Sequence, residues 1–313
     1  MKNLVVDIET GGEPDDILEA FFDFDETKTT NYELLSKEFD PAEVKCGNMK
    51  DPAKIEAKID EERKKFATLK ANATANIATA RTEAWNKFKD KAALSPLTGR
   101  VLAIGFWGEG FGIPKLDGTG CSIKHVREGV EPVSEKELIE TFLELADAVL
   151  SDGGSLVGHN IIGFDLPFLL RRGLKFGIKP PKTITTALGN YKPTNLIDTQ
   201  REWQMGNRTE MFTSLDSLAA FFGTRRKSGS GADFAKMFFG TPEERDAAID
   251  YLRNDVLMTV AVAEKMRLIP SQTKTKEADV PASAKAPASP EASKPVSEPA
   301  RQATVDTNPD DYI

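Results

Sequence analysis

The chain has 313 residues and a mass of 34.3 kDa, enough for a sizeable buried core without metal or disulfide staples. With 40% hydrophobic and 29% charged residues it holds no apolar run near the ~18 residues of a membrane span, and its start, Met1-Lys2-Asn3-Leu4-Val5-Val6-Asp7, meets an acid too soon for a secretory signal. The net charge of −8 argues against a polyanionic partner at long range. These features lead us to expect an intracellular, cytoplasmic protein with no membrane partner. Cys46 and Cys121 stand far apart with no CxxC pattern, so neither a zinc ribbon nor a disulfide framework is expected.

In chain order, Leu4–Ile8 reads as a strand that stops at two carboxylates, Asp7 and Glu9. Between Glu13 and Asp40 ten acids face only Lys28 and Lys37, so this stretch carries the whole net charge and the remainder is near neutral. Ala53–Leu94 has no Gly or Pro and is rich in Ala, Lys and Glu, which predicts one or two helices inserted after the first strand. From Lys50 to Lys91, eleven bases against seven acids suit either a solvated helical face or a surface that meets a polyanion.

Strands are then predicted over Val101–Trp107, Ser122–Val126, Ser155–Val157 and Asn195–Ile197, and helices over Glu135–Leu150, Leu166–Arg172, Leu215–Phe222 and Glu243–Met266. Such alternation indicates an α/β sheet. From Thr273 to Ala300 there is no aromatic residue, and the only apolar side chains larger than Ala are Val280 and Val296, so residues 271–313 are expected to form a disordered tail. That tail ends in Asp310-Asp311-Tyr312-Ile313 and reads either as a solubilising extension or as a docking peptide for a replication or repair protein.

Three segments carry chemistry. In Asp7-Ile8-Glu9-Thr10, residues two apart on a strand share a side, so two carboxylates can serve one hard cation. Alone the triplet is weak, since Asp60-Glu61-Glu62 repeats it inside the helical run. Gly158-His159-Asn160-Ile161-Ile162-Gly163-Phe164-Asp165 follows a strand and opens a helix, with Asp165 placed as an N-terminal helix acid and Asn160 at the chain reversal. Tyr251 and Asp255 are an i, i+4 pair on one helix face.

Taken together and in order, D-x-E, N-x-x-x-F-D and Y-x-x-x-D resemble the three motifs of the tyrosine branch of DEDD (DnaQ-like) 3′-5′ exonucleases, and most closely the proofreading exonuclease domain of family B DNA polymerases. The histidine branch would need a His at position 250, which is Asp250. The resemblance runs from Leu4 to about Met266 and takes in Leu196-Ile197-Asp198-Thr199 as the last strand. It implies a ribonuclease-H-like mixed five-stranded sheet flanked by helices, with an exonuclease domain at 1–270, a helical insertion at about 50–95 and the tail at 271–313. No polymerase domain follows, so a free-standing enzyme is implied.

By this resemblance Asp7, Glu9, Asp165 and Asp255 hold two Mg2+ or Mn2+ ions, and Tyr251 orients the attacking water or helps it lose a proton. The implied activity is release of nucleoside 5′-monophosphates from the 3′ end of single-stranded DNA. The alternatives are a ribonuclease D-like exoribonuclease, and a non-catalytic accessory subunit that binds nucleic acid or a polymerase. Substrate contacts are expected from Thr10, Asn160, Phe164 and the basic loop Arg225-Arg226-Lys227, with Phe168 a further base-stacking candidate or a core residue. His159 is expected to be structural, and Asp198 to cap the turn that follows it.

Overall fold

Alternation within Leu4-Val5-Val6-Asp7-Ile8-Glu9 sets the architecture. Successive strand residues point to opposite faces, so in β1 (Asn3–Gly12) Leu4, Val6 and Ile8 enter one apolar core, while Val5 enters a second and Asp7 and Glu9 follow it on that side. The computed structural model describes residues 2–108, 120–129, 132–189, 195–207, 209, 211–227 and 229–271. The tail beyond Ser271 therefore lies outside the described residues, as does Ser228 of the basic loop.

β1 pairs antiparallel with β2 (Gly99–Gly108), which pairs antiparallel with β3 (Cys121–His125). On its other edge it runs parallel to β4 (Ser155–Gly158), which is parallel to β5 (Leu196–Asp198). The order β3-β2-β1-β4-β5 is the mixed, helix-flanked sheet of a ribonuclease-H-like α/β fold. All five expected strands are present.

The segment that leaves β1 forms a short turn of helix, α1 (Asp15–Leu18), and isolated 3-10 turns before α2 (Pro52–Ala92). α2 is one helix of 41 residues, about 60 Å at 1.5 Å per residue. Asp51 caps it by accepting from the Ala53 N–H, and Pro52 sits in the first turn, where its missing donor is harmless. Only Ala73 and Ala92 of this helix are buried. Its cover is the acidic segment, which packs Phe22 against Trp85 and Phe88 (5.0 and 5.6 Å) and Phe39 against Phe66 (5.9 Å). Part of the positive charge of α2 thus meets the chain's own acids, as in the 3.2 Å Lys89–Asp15 pair.

The root of this insertion is tied by Arg172, which is 1% exposed. Its guanidinium donates to both Glu135 oxygens at 2.8 and 2.7 Å, to Glu13 at 2.7 Å and to the Pro96 carbonyl at 3.2 Å. Glu13 leaves β1 and Pro96 enters β2, so one side chain holds both ends of the excursion against α3 (Glu135–Ser151).

α3, α4 (Asp165–Lys175) and α5 (Lys182–Gly189) cover the Leu4/Val6/Ile8 face. Phe142, Leu4 and Ile104 are fully buried there, each contributing roughly 1.5–3 kcal/mol of transfer free energy. Beyond β5 follow α6 (Thr199–Trp203), α7 (Leu215–Phe221), α8 (Phe234–Phe238) and α9 (Pro242–Lys265). A Ser134/Glu137 capping box starts α3, and a Thr241/Glu244 box with Pro242 starts α9. α8 and α9 cover the opposite, Val5 face, the one that carries Asp7 and Glu9. Gly105 makes that approach possible, since a Cβ there would lie 2.5 Å from Val256 Cγ2.

Candidate metal centre

Because β1 sends Asp7 and Glu9 toward α9, they meet the helix residue that shares the face of Tyr251. One carboxylate oxygen each of Asp7, Glu9 and Asp255 lie within 4.8 Å of one another. A register shift between Glu9 and Thr10 interrupts the β1–β2 ladder at this point, a common device for aiming a side chain at a site. Asp165, first residue of α4 and 4% exposed, stands beside Asp7 but outside that triple, and its Oδ1 accepts the Ile8 N–H at 3.2 Å.

Packing like charges away from water should hold protons on them. Asp7 is raised well above the usual carboxylate range by burial, then by Asp165, Glu9 and Asp255, with Lys227 opposing. Glu9 is pushed up to about 8 by burial and by Asp255 and Asp165, Lys227 again opposing. Burial likewise raises Asp165 and Asp255. Asp255 Oδ2 receives Lys227 Nζ at 3.0 Å, whereas its buried Oδ1 has no hydrogen-bond partner among the described residues.

A divalent cation fits this donor set. The ligands are all hard oxygens, the charge calls for a cation, and an orphaned carboxylate oxygen is costly unless something binds it. Asp7, Glu9 and Asp255 are the residues that can hold it, with Asp165 adjacent to Asp7.

Tyr251 is 3% exposed, and its hydroxyl oxygen accepts a 2.9 Å bond from Lys227 Nζ. Burial raises the phenol pKa, and neighbouring Asp255 and Glu9 add to this, so the hydroxyl keeps its proton at neutral pH. Gly231 passes over the site: a Cβ there would be 3.6 Å from the Tyr251 hydroxyl and 4.0 Å from Glu9 Oε2.

The loop that delivers Asp165 is built by Asp198. This buried carboxylate accepts from the Asn160 N–H (2.8 Å) and Ile162 N–H (3.1 Å) as well as from Gln200 N–H (3.0 Å), so it braces the loop in addition to capping α6. Asn160 adopts the left-handed conformation (φ 60°), and its Oδ1 occupies the space a Cβ at Gly163 would need. His159 Nδ1 lies 2.9 Å from Thr199 Oγ1, and burial lowers its pKa to about 4, so it is a neutral support for the loop.

Several expected substrate contacts have other partners. Thr10 donates its hydroxyl to the Ala93 carbonyl at 2.8 Å. Arg226 forms a two-pronged pair with Asp216, 2.8 Å at Nε. Phe168 is 1% exposed and belongs to the core, with half-buried Phe164 packed on it at 5.4 Å, so base stacking by Phe168 is excluded. Arg225 is exposed. Lys227 is directed inward to Tyr251 and Asp255. Sequence reasoning placed Lys227 among phosphate contacts and missed this role, as it missed the bracing by Asp198. The visible signal for Lys227 was the run of small residues after it, Ser228-Gly229-Ser230-Gly231, which lets the loop lie close to Tyr251.

A sheet of this order with a carboxylate centre between β1 and α9 is an arrangement suited to a nuclease. The chain belongs to the family described as "Predicted 3'-5' exonuclease related to the exonuclease domain of PolB", whose model matches residues 113–286, more than half its length. That match includes Asn160, Asp165, Tyr251 and Asp255 and begins after Asp7 and Glu9. Among solved structures, the family B DNA polymerase of the hyperthermophilic archaeon Pyrobaculum calidifontis is similar at 18% identity and a TM-score of 0.42, over 57% of this chain and 23% of the polymerase. No curated protein matches. No helix among the described residues is long and apolar enough to cross a membrane.

Proposed function

We propose that this chain is a metal-dependent 3′-5′ exonuclease that releases nucleoside 5′-monophosphates from the 3′ end of single-stranded DNA. The observation that carries the reading is the convergence of Asp7, Glu9 and Asp255, together with a buried Asp255 oxygen that has no hydrogen-bond partner among the described residues. Two Mg2+ or Mn2+ ions held by these residues and Asp165 would supply an activated water and offset charge on the phosphoryl and leaving 3′ oxygens.

The chain's own groups have separable tasks. Lys227 stays cationic: burial works against the charge, but the hydrogen bond to Tyr251 and the Asp255 carboxylate raise its pKa. Since Lys227 Nζ donates to the Tyr251 oxygen, the phenolic hydrogen is directed elsewhere, with the Asp255 carboxylate, whose pKa a hydrogen bond from Tyr251 lowers, within its reach. With its pKa raised, Tyr251 acts as a donor that orients a water or a phosphoryl oxygen, and it is unsuited to act as a general base. Asp198 holds the Asp165 loop in register with β1.

The test is cleavage of 5′-labelled single-stranded DNA and RNA of the same sequence by the full chain, with manganese and with chelator. Metal-dependent shortening of the DNA from its 3′ end supports the reading. Preferential shortening of RNA favours the exoribonuclease alternative, and no shortening of either substrate contradicts a nuclease.

A further inference from the structure

A cavity of 1020 Å³ opens between the start of β2, the first turn of α9, the end of α4 and the connection from β3 to α3. Clefts that hold small ligands run to about 300–1,000 Å³. None of Asp7, Glu9, Asp165, Tyr251 and Asp255 lines it. Arg245, on its wall, lies ten residues before Asp255 on α9, about 15 Å away at 1.5 Å per residue. The cavity is therefore separate from the carboxylate centre.

Its lining is charged, and not all of the charges have partners within the protein. Arg172 and Lys175 are taken up by Glu13 and Glu135, and Glu137 by the Ser134 cap. There remain the guanidinium groups of Arg100, Arg127 and Arg245, none with an acidic partner among the described residues, against the carboxylate of Glu128. Arg100 is held in place without being neutralised. Its guanidinium lies over the Phe239 ring at 5.1 Å, and its buried Nε has no hydrogen-bond partner among the described residues. Arg245 lies over Phe238 at 5.6 Å and donates Nε to the Phe238 carbonyl at 2.9 Å, which leaves its terminal N–H groups available. Phe238 and Phe239 meet edge to face at 5.3 Å, so the two arginines flank one aromatic pair. Phe239 is 52% exposed, and Phe176 adds another ring to the lining.

Guanidinium groups gathered in a cleft repel one another, and a bound anion relieves that repulsion. Their forked N–H groups match phosphoryl oxygens, and a half-open ring offers a face to a flat heterocycle. The geometry points to a second binding site, for a nucleoside 5′-monophosphate, with its phosphoryl group on Arg100 and Arg245 and its base against Phe239. A bare anion would leave the Phe239 ring without an occupant, and an apolar ligand would leave the arginines unpaired. The four carboxylates of the lining favour a ligand with one phosphoryl group over a continuous phosphate backbone.

Isothermal calorimetry with thymidine 5′-monophosphate and the full chain tests the site. Chelator is present throughout, so that no metal recruits the phosphoryl group to the carboxylate centre. Saturable binding is expected, with thymidine and inorganic phosphate each weaker by at least about tenfold. Arg100→Gln and Arg245→Gln should each weaken the nucleotide roughly tenfold, the loss expected of a charge-assisted hydrogen bond. Arg127→Gln, at an exposed position, should weaken it in the same direction and keeps the test open should the other two variants fail to fold. Phe239→Ala should weaken the nucleotide while leaving inorganic phosphate unchanged. Asp7→Asn should bind as wild type does, and so should Lys54→Gln, which removes an exposed cation from α2. No saturable binding, or wild-type affinity in all three arginine variants, overturns the site. Loss of binding in Asp7→Asn overturns it too, by placing the nucleotide in the carboxylate centre. So does equal affinity for a thymidylyl-thymidine dinucleotide, whose only phosphate is a diester, since the cavity would then hold a strand. No arm depends on cleavage, so each outcome leaves the nuclease reading as it stands.

Discussion

Lys227 Nζ lies 3.0 Å from Asp255 Oδ2 and 2.9 Å from the Tyr251 hydroxyl, so a single ammonium group serves both candidate site residues of α9. It is also the cation that opposes the raised pKa values of Asp7, Glu9 and Asp255. Among the described residues, Lys227 supplies a counter-charge to the cluster through its 3.0 Å contact with Asp255.

Replacing Lys227 by Met should therefore destabilise the metal-free protein by about 1–3 kcal/mol, toward the lower end because the lysine side chain is 32% exposed. Excess manganese should restore most of the lost melting temperature. Calorimetric scans in chelator and in manganese check this, and an unchanged chelator scan would remove Lys227 from the electrostatic account.

Stability should depend on pH in a defined direction. Glu9 has a folded pKa of about 8 against an ordinary 4.5, so between these values the native state binds more protons than the unfolded chain. The stabilisation this group provides is fully present below about 4.5 and is lost as pH rises through about 8. In chelator, melting temperature should fall across that window, and Glu9→Gln should flatten the fall. Because metal competes with protons for the same oxygens, manganese should stabilise more at the alkaline end.

Arg172→Ala should destabilise by about 3–5 kcal/mol, since it leaves Glu135 with no cationic partner among the described residues and Glu13 paired only with half-exposed Lys175. Arg226→Ala removes an exposed pair with Asp216 and should change stability by less than about 1 kcal/mol. Urea denaturation of the two variants separates these expectations.

On the proposed metal-dependent reading, Asp7→Ala should reduce cleavage by at least about a thousandfold while leaving the fold intact, because it removes one of the proposed metal ligands. Asp60→Ala is the silent control: Asp60 repeats the sequence triplet but sits exposed on α2, paired with Arg63 at 2.8 Å. Single-turnover cleavage and circular dichroism of both proteins provide the comparison.

The central strand and its acids were legible because period-two alternation in Leu4–Glu9 states both the burial and the face of the carboxylates. α2 was legible as helix from its lack of Gly and Pro, though its continuity as one rod was not, since the rings that pack on it, Phe22 and Phe39, come from a segment with no periodicity of its own. The short helices α5, α6 and α8 were missed for a related reason: each has at most eight residues, too few to show a period. Long-range partners left no local trace. Glu13 is 159 residues from Arg172, and the Thr10 hydroxyl meets a carbonyl 83 residues away, so neither commitment could be read from the neighbouring sequence.

Manganese titration of the full chain by isothermal calorimetry tests the carboxylate centre most directly. Wild type should bind manganese with proton release that grows as pH is lowered toward 6, and Asp7→Asn and Asp255→Asn should each lose most of that binding. Asp60→Asn should bind as wild type does. Identical isotherms for wild type, Asp7→Asn and Asp255→Asn would contradict a metal centre at these residues.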